Sequence, residues 1–133
     1  MINKKIFVSV MCLSLIALTS VSASAGSVTW TTAYGKATGS STTYTWSQPT
    51  SPLYRKVQAV TSNSKAAPKI AAEVYGYYKG ELVMSAHNTA NNSDSVSAVS
   101  NSKKYANKAV YGKGCHAVWS STLARNDHYT TFQ

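Results

Sequence analysis

Carboxylates are scarce in this chain: Glu73, Glu81, Asp94 and Asp127 stand against 13 Lys and Arg. That leaves little material for paired-carboxylate glycoside hydrolysis, and Glu73 and Glu81 sit in Lys/Tyr-rich stretches that read as strand surface. Cysteine is rarer still. Cys12 lies in an N-terminal apolar run, so Cys115 is the one cysteine in the rest and an intrachain disulfide is not available there. Gly-x-Ser-x-Gly does not occur, and no stretch reaches the ~20 apolar residues of a transmembrane helix. After residue 25, Ile70 is the only isoleucine, and Leu53, Leu82 and Leu123 are the only leucines.

The first 25 residues read as an export signal, to be excluded from fold reasoning. Lys4 and Lys5 precede an apolar run from Ile6 to Leu18, and Ala23-Ser24-Ala25 is a small-residue cleavage site before Gly26. Residues 26–133 are then a single secreted, extracellular domain, large enough to hold one core without a covalent staple. Without Lys4 and Lys5, eleven basic residues face four acidic ones, a net charge of +7. Such a balance points to an anionic partner: a wall polymer, a lipid headgroup or a pyrophosphate-bearing wall precursor.

The remainder is rich in Ser, Thr, Val, Tyr, Ala and Asn, a mixture that favours strands. Period-two alternation appears in Val28/Trp30/Thr32, Arg55/Val57/Ala59/Thr61, Ile70/Ala72/Val74/Gly76 and Leu82/Met84/Ala86. Turn chemistry separates the runs at Gly39-Ser40-Ser41, 47–52, Ser62-Asn63-Ser64, Lys79-Gly80, 88–94, Asn101-Ser102 and Arg125-Asn126-Asp127. Only 103–109 has the character of a short helical turn. The expected fold is all-β: an antiparallel meander of six to eight short strands closed as a small sandwich or flattened barrel.

An internal repeat sharpens this. Ala59-Val60-Thr61-Ser62-Asn63-Ser64-Lys65 returns, one residue shorter, as Ala98-Val99-Ser100-Asn101-Ser102-Lys103. Each copy is followed by Val-Tyr-Gly, at Val74-Tyr75-Gly76 and Val110-Tyr111-Gly112, and Ala33-Tyr34-Gly35 is a third such element. Recurrence at this spacing suggests one hairpin used repeatedly, with Lys65 and Lys103, and Tyr75 and Tyr111, in equivalent places.

Catalytic constellations are thin. Cys115 could be a nucleophile with His87 or His128 as its base, a small cysteine hydrolase. His116 cannot serve its neighbour, because adjacent strand residues point to opposite faces. Three histidines spread over 42 residues lack the close spacing of zinc ligands, so no metal is expected. Cys115 is otherwise a small core residue or the link of a disulfide-bonded dimer. The richer signal is aromatic residues interleaved with bases. Trp30, Tyr34, Tyr44, Trp46 and Tyr54 flank Lys36, Arg55 and Lys56, and Tyr75, Tyr77 and Tyr78 precede Lys79. Aromatic faces suit sugars and headgroup zones, and bases suit phosphate. Nucleic acid is not expected, since no RNP-like motif is present.

The opening of the exported part, Gly26-Ser27-Val28-Thr29-Trp30-Thr31-Thr32-Ala33-Tyr34-Gly35, resembles the Thr-Trp-x-x-x-Tyr-Gly start of lactococcin-972-type bacteriocins. Arg55-Lys56-Val57-Gln58-Ala59-Val60, the Ser/Asn turn and the run from Lys69 to Gly76 are similar to that family's basic strand, Asn-rich turn and Lys/Ala/Val strand, so the likeness covers roughly residues 26–80. The chain departs from the family in its length, in Cys115 and in lacking paired histidines before the basic strand. The resemblance implies an exported antibacterial β-sandwich acting on the wall-precursor lipid of dividing cells, with Trp30, Tyr34, Arg55 and Lys56 as contacts. Together the residues expected to bind are Trp30, Tyr34, Trp46, Arg55, Lys56, Lys65, Tyr75, Lys103 and Tyr111. No catalytic residue and no cofactor are expected. The leading expectation is a cationic, non-enzymatic, bacteriocin-like growth inhibitor. A structural or adhesive envelope protein that binds wall polysaccharide is the alternative.

Overall fold

Alternation of side chains decides the architecture. A computed structural model describes residues 25–46, 53–120 and 125–133, with the backbone alone for Arg125 and Asn126. The described residues form six antiparallel strands: β1 (Ala25–Thr32), β2 (Gly35–Trp46), β3 (Tyr54–Tyr78), β4 (Glu81–Ser102), β5 (Tyr111–Trp119) and β6 (Arg125–Phe132). They form one sheet in the order β1-β2-β3-β5-β6, with β4 on the other side of β3, rolled nearly into a barrel. The expected all-β antiparallel fold is therefore present. Two strands are far longer than expected: β3 has 25 residues and β4 has 22.

The length of β3 explains the topology. Its first half pairs with β2, from Trp46↔Tyr54 to Ala37↔Asn63. Its second half pairs with β5, from Lys69↔Trp119 to Tyr77↔Tyr111. β4 accompanies both halves, with a register shift between Ser62 and Ala67. Ser62-Asn63-Ser64, which reads as a turn between strands, is instead a bend within one strand, and it folds the two halves of the sheet face to face. Hydrogen bonds pin it. Asn63 Nδ2 donates to the Lys65 carbonyl at 2.8 Å and to the Tyr34 carbonyl at 3.0 Å, and Lys36 N donates to Ser64 Oγ at 2.9 Å. Residues 88–94 likewise lie inside β4, where Asn88 Nδ2 donates to the Ser97 carbonyl at 3.0 Å.

Inward positions follow the sequence pattern closely. Val57, Ala59 and Thr61 on β3, then Ile70, Ala72 and Val74 after the bend, are buried and meet Val96, Ala98, Val118 and Phe132 in the core. Leu82 departs from it. A second register shift, at Gly76/Tyr77, places Met84 opposite Gly76 but Leu82 opposite Tyr77, so Leu82 faces outward. Lys79-Gly80 is the expected two-residue turn, with φ of 50° and 84°. Residues 103–109 form two successive turns, with Ala106 N donating to the Lys103 carbonyl and Lys108 N to the Tyr105 carbonyl, each at 3.1 Å. The expected turn at 47–52 lies outside the described residues.

The repeat has a different geometry from successive hairpins. Ala59 faces Ala98 across β3 and β4, and Gly76 faces Gly112 across β3 and β5. The copies run side by side in opposite directions, so like residues share a face. Lys65 lies in the β3 bend and Lys103 just past the end of β4, so they are not equivalent.

At the centre of the core is a polar residue. His116 is fully buried, with Nδ1 2.9 Å from Thr61 Oγ1 and Nε2 2.8 Å from Thr130 Oγ1. Thr130 Oγ1 lies 2.6 Å from Ser41 Oγ, and Thr61 Oγ1 donates to the Ala71 carbonyl at 2.7 Å. Since Thr61 has spent its only hydrogen, it accepts from His116 Nδ1–H, which fixes the neutral ring's tautomer and leaves Nε2 as the unprotonated nitrogen beside Thr130 Oγ1. Four strands are tied to one imidazole. Burial, with a smaller contribution from His128 on β6, pushes the His116 pKa down to about 4 from 6.5.

The unfolded chain therefore binds more protons between these two values, and stability falls as pH drops through 6.5 toward 4. The expected loss is about 3 kcal/mol. Urea titrations across that range will show it, and His116→Gln is expected to flatten the acid side of the profile.

Candidate anion-binding rim

Because β3 bends back, its two ends, Tyr54 and Tyr78, arrive at the same end of the barrel, and the segment joining β4 to β5 lies between them. Lys103 Nζ sits 5.5 Å from the Tyr54 ring centre, and the Tyr105 ring lies 5.6 Å from Tyr78. Only Lys104 lies between Lys103 and Tyr105, so the two contacts are about 7 Å of chain apart. Lys79 and Lys108 approach the Tyr78 ring at 5.5 and 5.9 Å, and Lys104 approaches Tyr105 at 5.5 Å. On the β2 side, Lys56 lies 4.1 Å over Trp46, which in turn packs against Tyr54 at 6.5 Å. The rim thus alternates rings and ammonium groups, each such pair contributing about 0.5–1 kcal/mol where exposed.

Arg55 lies between Tyr54 and Lys56 and pairs with Ser102. Partial burial lowers the pKa of both Arg55 and Lys56 from their ordinary values. Six of the eleven basic residues after position 25 (Arg55, Lys56, Lys79, Lys103, Lys104 and Lys108) therefore gather here, with Glu81, the first residue of β4, the nearby carboxylate. Glu73 and Asp127 are on the outer face of β3 and β6, and Asp94 is in the long β4 strand. Lysine stems lying on rings hold their charges at the surface, where phosphate oxygens can accept from more than one of them.

The structure brings together four of the nine expected contact residues: Trp46, Arg55, Lys56 and Lys103. Tyr75 and Tyr111 are on the outer face of β3 and β5. Tyr34 and Lys65 are at the opposite end of the barrel, beside the β3 bend. Trp30 lies apart from the rim: it is 8% exposed, and its ring stacks on His128 at 4.2 Å where β1 meets β6. A strand residue on the inward face of β1 fills the core, whatever motif it belongs to. Tyr105, Lys104 and Lys108 were not singled out by the sequence, although the Lys103-Lys104-Tyr105 run carried the same basic-aromatic signal as the others.

Cys115 faces outward between Glu73 on β3 and Tyr129 on β6, whereas His116 and its strand partner His128 face inward. His87 shares the outer face but lies two strands away, about 10 Å, with Glu73 between. No histidine is therefore placed beside the thiol. Cys115 is also buried, which works against an interchain disulfide. Among the described residues, no three His, Cys, Asp or Glu side chains converge on a metal-sized site, and no helix is long and apolar enough to cross a membrane. No protein-family model, curated protein or solved structure matches the chain.

Proposed function

We propose that the chain is an exported, cationic binding protein that engages an anionic component of the cell envelope through the rim, and that it inhibits growth in the manner of a bacteriocin. The observation that carries this is the concentration of six cations and four aromatic rings, Trp46, Tyr54, Tyr78 and Tyr105, at one end of the barrel. The likeness of residues 26–80 to lactococcin-972-type proteins supports the same reading. Binding is stoichiometric: ammonium groups meet phosphate, and rings cover the adjoining sugar or lipid. Sedimentation with phosphatidylcholine vesicles, with and without phosphatidylglycerol, tests it alongside growth inhibition. Binding that requires the anionic lipid and weakens with added salt is expected. Equal partition to both vesicle types, with no inhibited strain, defeats the proposal.

One observation favours the second reading, a structural or adhesive protein. Among the described residues, β4 pairs only with β3, so a 22-residue edge rich in Ser and Asn carries no lysine and no proline to block pairing with another strand. If edges assemble, size-exclusion chromatography will show mass rising with concentration, and Val99→Lys, at an exposed edge-strand position, will suppress it. A monomer at every concentration counts against assembly.

A further inference from the structure

The outer face of β3, β5 and β6 is chemically unlike the rim. Its cleft, of about 280 Å³, is floored by Cys115 and bounded by Tyr75, Tyr77, Tyr129 and Lys113. It also contains Glu73 and Asp127, half of all the carboxylates in the chain. We propose that this cleft is a saccharide-binding site, taking an uncharged pyranose unit of a polysaccharide. The inference does not depend on what the rim binds.

Register assembles the cleft. Glu73 on β3 faces Cys115 on β5, which faces Tyr129 on β6, while Tyr75 faces Lys113 one pleat away. Period-two alternation therefore delivers these side chains to one surface, with the small thiol leaving a depression between larger neighbours. Tyr129 is 61% exposed and Tyr111, stacked on Tyr77 at 5.9 Å, is 45% exposed. The polar groups are held in place. Tyr75 Oη donates to Glu73 Oε2 at 2.8 Å, and this bond, with burial, pushes the tyrosine pKa up to about 12. Lys113 Nζ lies 5.8 Å from the Tyr75 ring centre.

The combination selects a ligand class. Two carboxylates repel phosphate and other anions. Charged walls disfavour an acyl chain, whose burial would desolvate them without replacement hydrogen bonds. A pyranose has an apolar C–H face that suits a tyrosine ring, and hydroxyls that donate to carboxylates and accept from an ammonium group. One sugar ring fits the depression, and neighbouring rings of an oligomer can extend over exposed Tyr111 or Tyr129.

The purified protein should be titrated with chitotetraose and, separately, maltotetraose, following backbone amide shifts by NMR. At least one is expected to bind with a Kd on the order of 1 mM, perturbing residues 73–77, 111–115 and 127–131. Tyr129→Ala, a change at an exposed ring, should weaken binding about tenfold while leaving thermal unfolding unchanged. Glu73→Gln should weaken it as well. The double variant Lys103→Glu/Lys108→Glu should bind the sugar as the parent does, which separates this site from the rim. If neither oligosaccharide moves these amides, or Tyr129→Ala binds undiminished, the inference is overturned. Tetramethylammonium shifting them where both sugars fail would overturn it in favour of a cationic ligand.

Discussion

Reversing the charge of Lys103 and Lys108 together, to glutamate, is expected to abolish binding to vesicles that contain anionic lipid. Each lysine close to an anionic membrane surface contributes about 1 kcal/mol. Reversal removes two attractions and adds two repulsions, about 4 kcal/mol or roughly a thousandfold in affinity. Both side chains are exposed, with their ammonium groups beside the rings of Tyr54 and Tyr78, so the folded state should survive. The control is the same change at Lys36 and Lys65, by the β3 bend at the opposite end. Net charge changes identically there, yet most of the binding should remain. Equal losses in the two variants would mean that overall charge, not the rim, governs attraction.

Gly39→Ala is expected to cost more stability than any surface change, above about 3 kcal/mol of the 5–15 typical of a domain. A Cβ at position 39 would collide with the His116 ring at Cγ and Cδ2. The ring cannot swing aside without breaking its bonds to Thr61 and Thr130, leaving buried polar groups unsatisfied. Gly114 imposes the same limit from β5, where a Cβ would lie 2.8 Å from His116 Nε2. His116→Ala alone should also destabilise, by about 3 kcal/mol through cavity and lost hydrogen bonds. Combined with Gly39→Ala, however, it removes the collision, so the double variant should be markedly more stable than the two single effects added together. Strict additivity in urea unfolding would show that the glycine and the imidazole do not constrain each other.

These two glycines show where the sequence could be read and where it could not. Gly39-Ser40-Ser41 has turn composition, yet it lies mid-strand in β2 because a histidine 77 positions later needs the space. Nothing local records that need. Runs such as Ile70/Ala72/Val74, in contrast, declare both strand and buried face, since a pleated sheet forces alternate residues to one side. The polar Ser62-Asn63-Ser64 and 88–94 segments carry no trace of whether they end a strand or bend it. Hydrogen bonds from Asn63 and Asn88 to distant carbonyls decide that, and they exist only in the folded chain.

The site was legible to the same degree. Aromatic and basic residues side by side at Trp46, Tyr54, Arg55 and Lys56 could be seen in one dimension. Their union with Lys103, Tyr105 and Lys108 depends on β3 folding back so that both its ends meet one connecting segment. Trp30 belongs to the Thr-Trp-x-x-x-Tyr-Gly opening, yet its inward position on β1 places it against His128. Face, not motif, decides whether a ring is available to a ligand.

Titration with inorganic pyrophosphate, followed by backbone amide shifts, tests the central claim that this end of the barrel is the anion site. The account predicts saturable shifts at residues 54–56 and 103–108, and at the indole of Trp46, with residues 33–36 and 62–66 unmoved. Shifts spread evenly over the surface, or concentrated at the end that holds Tyr34 and Lys65, would contradict it.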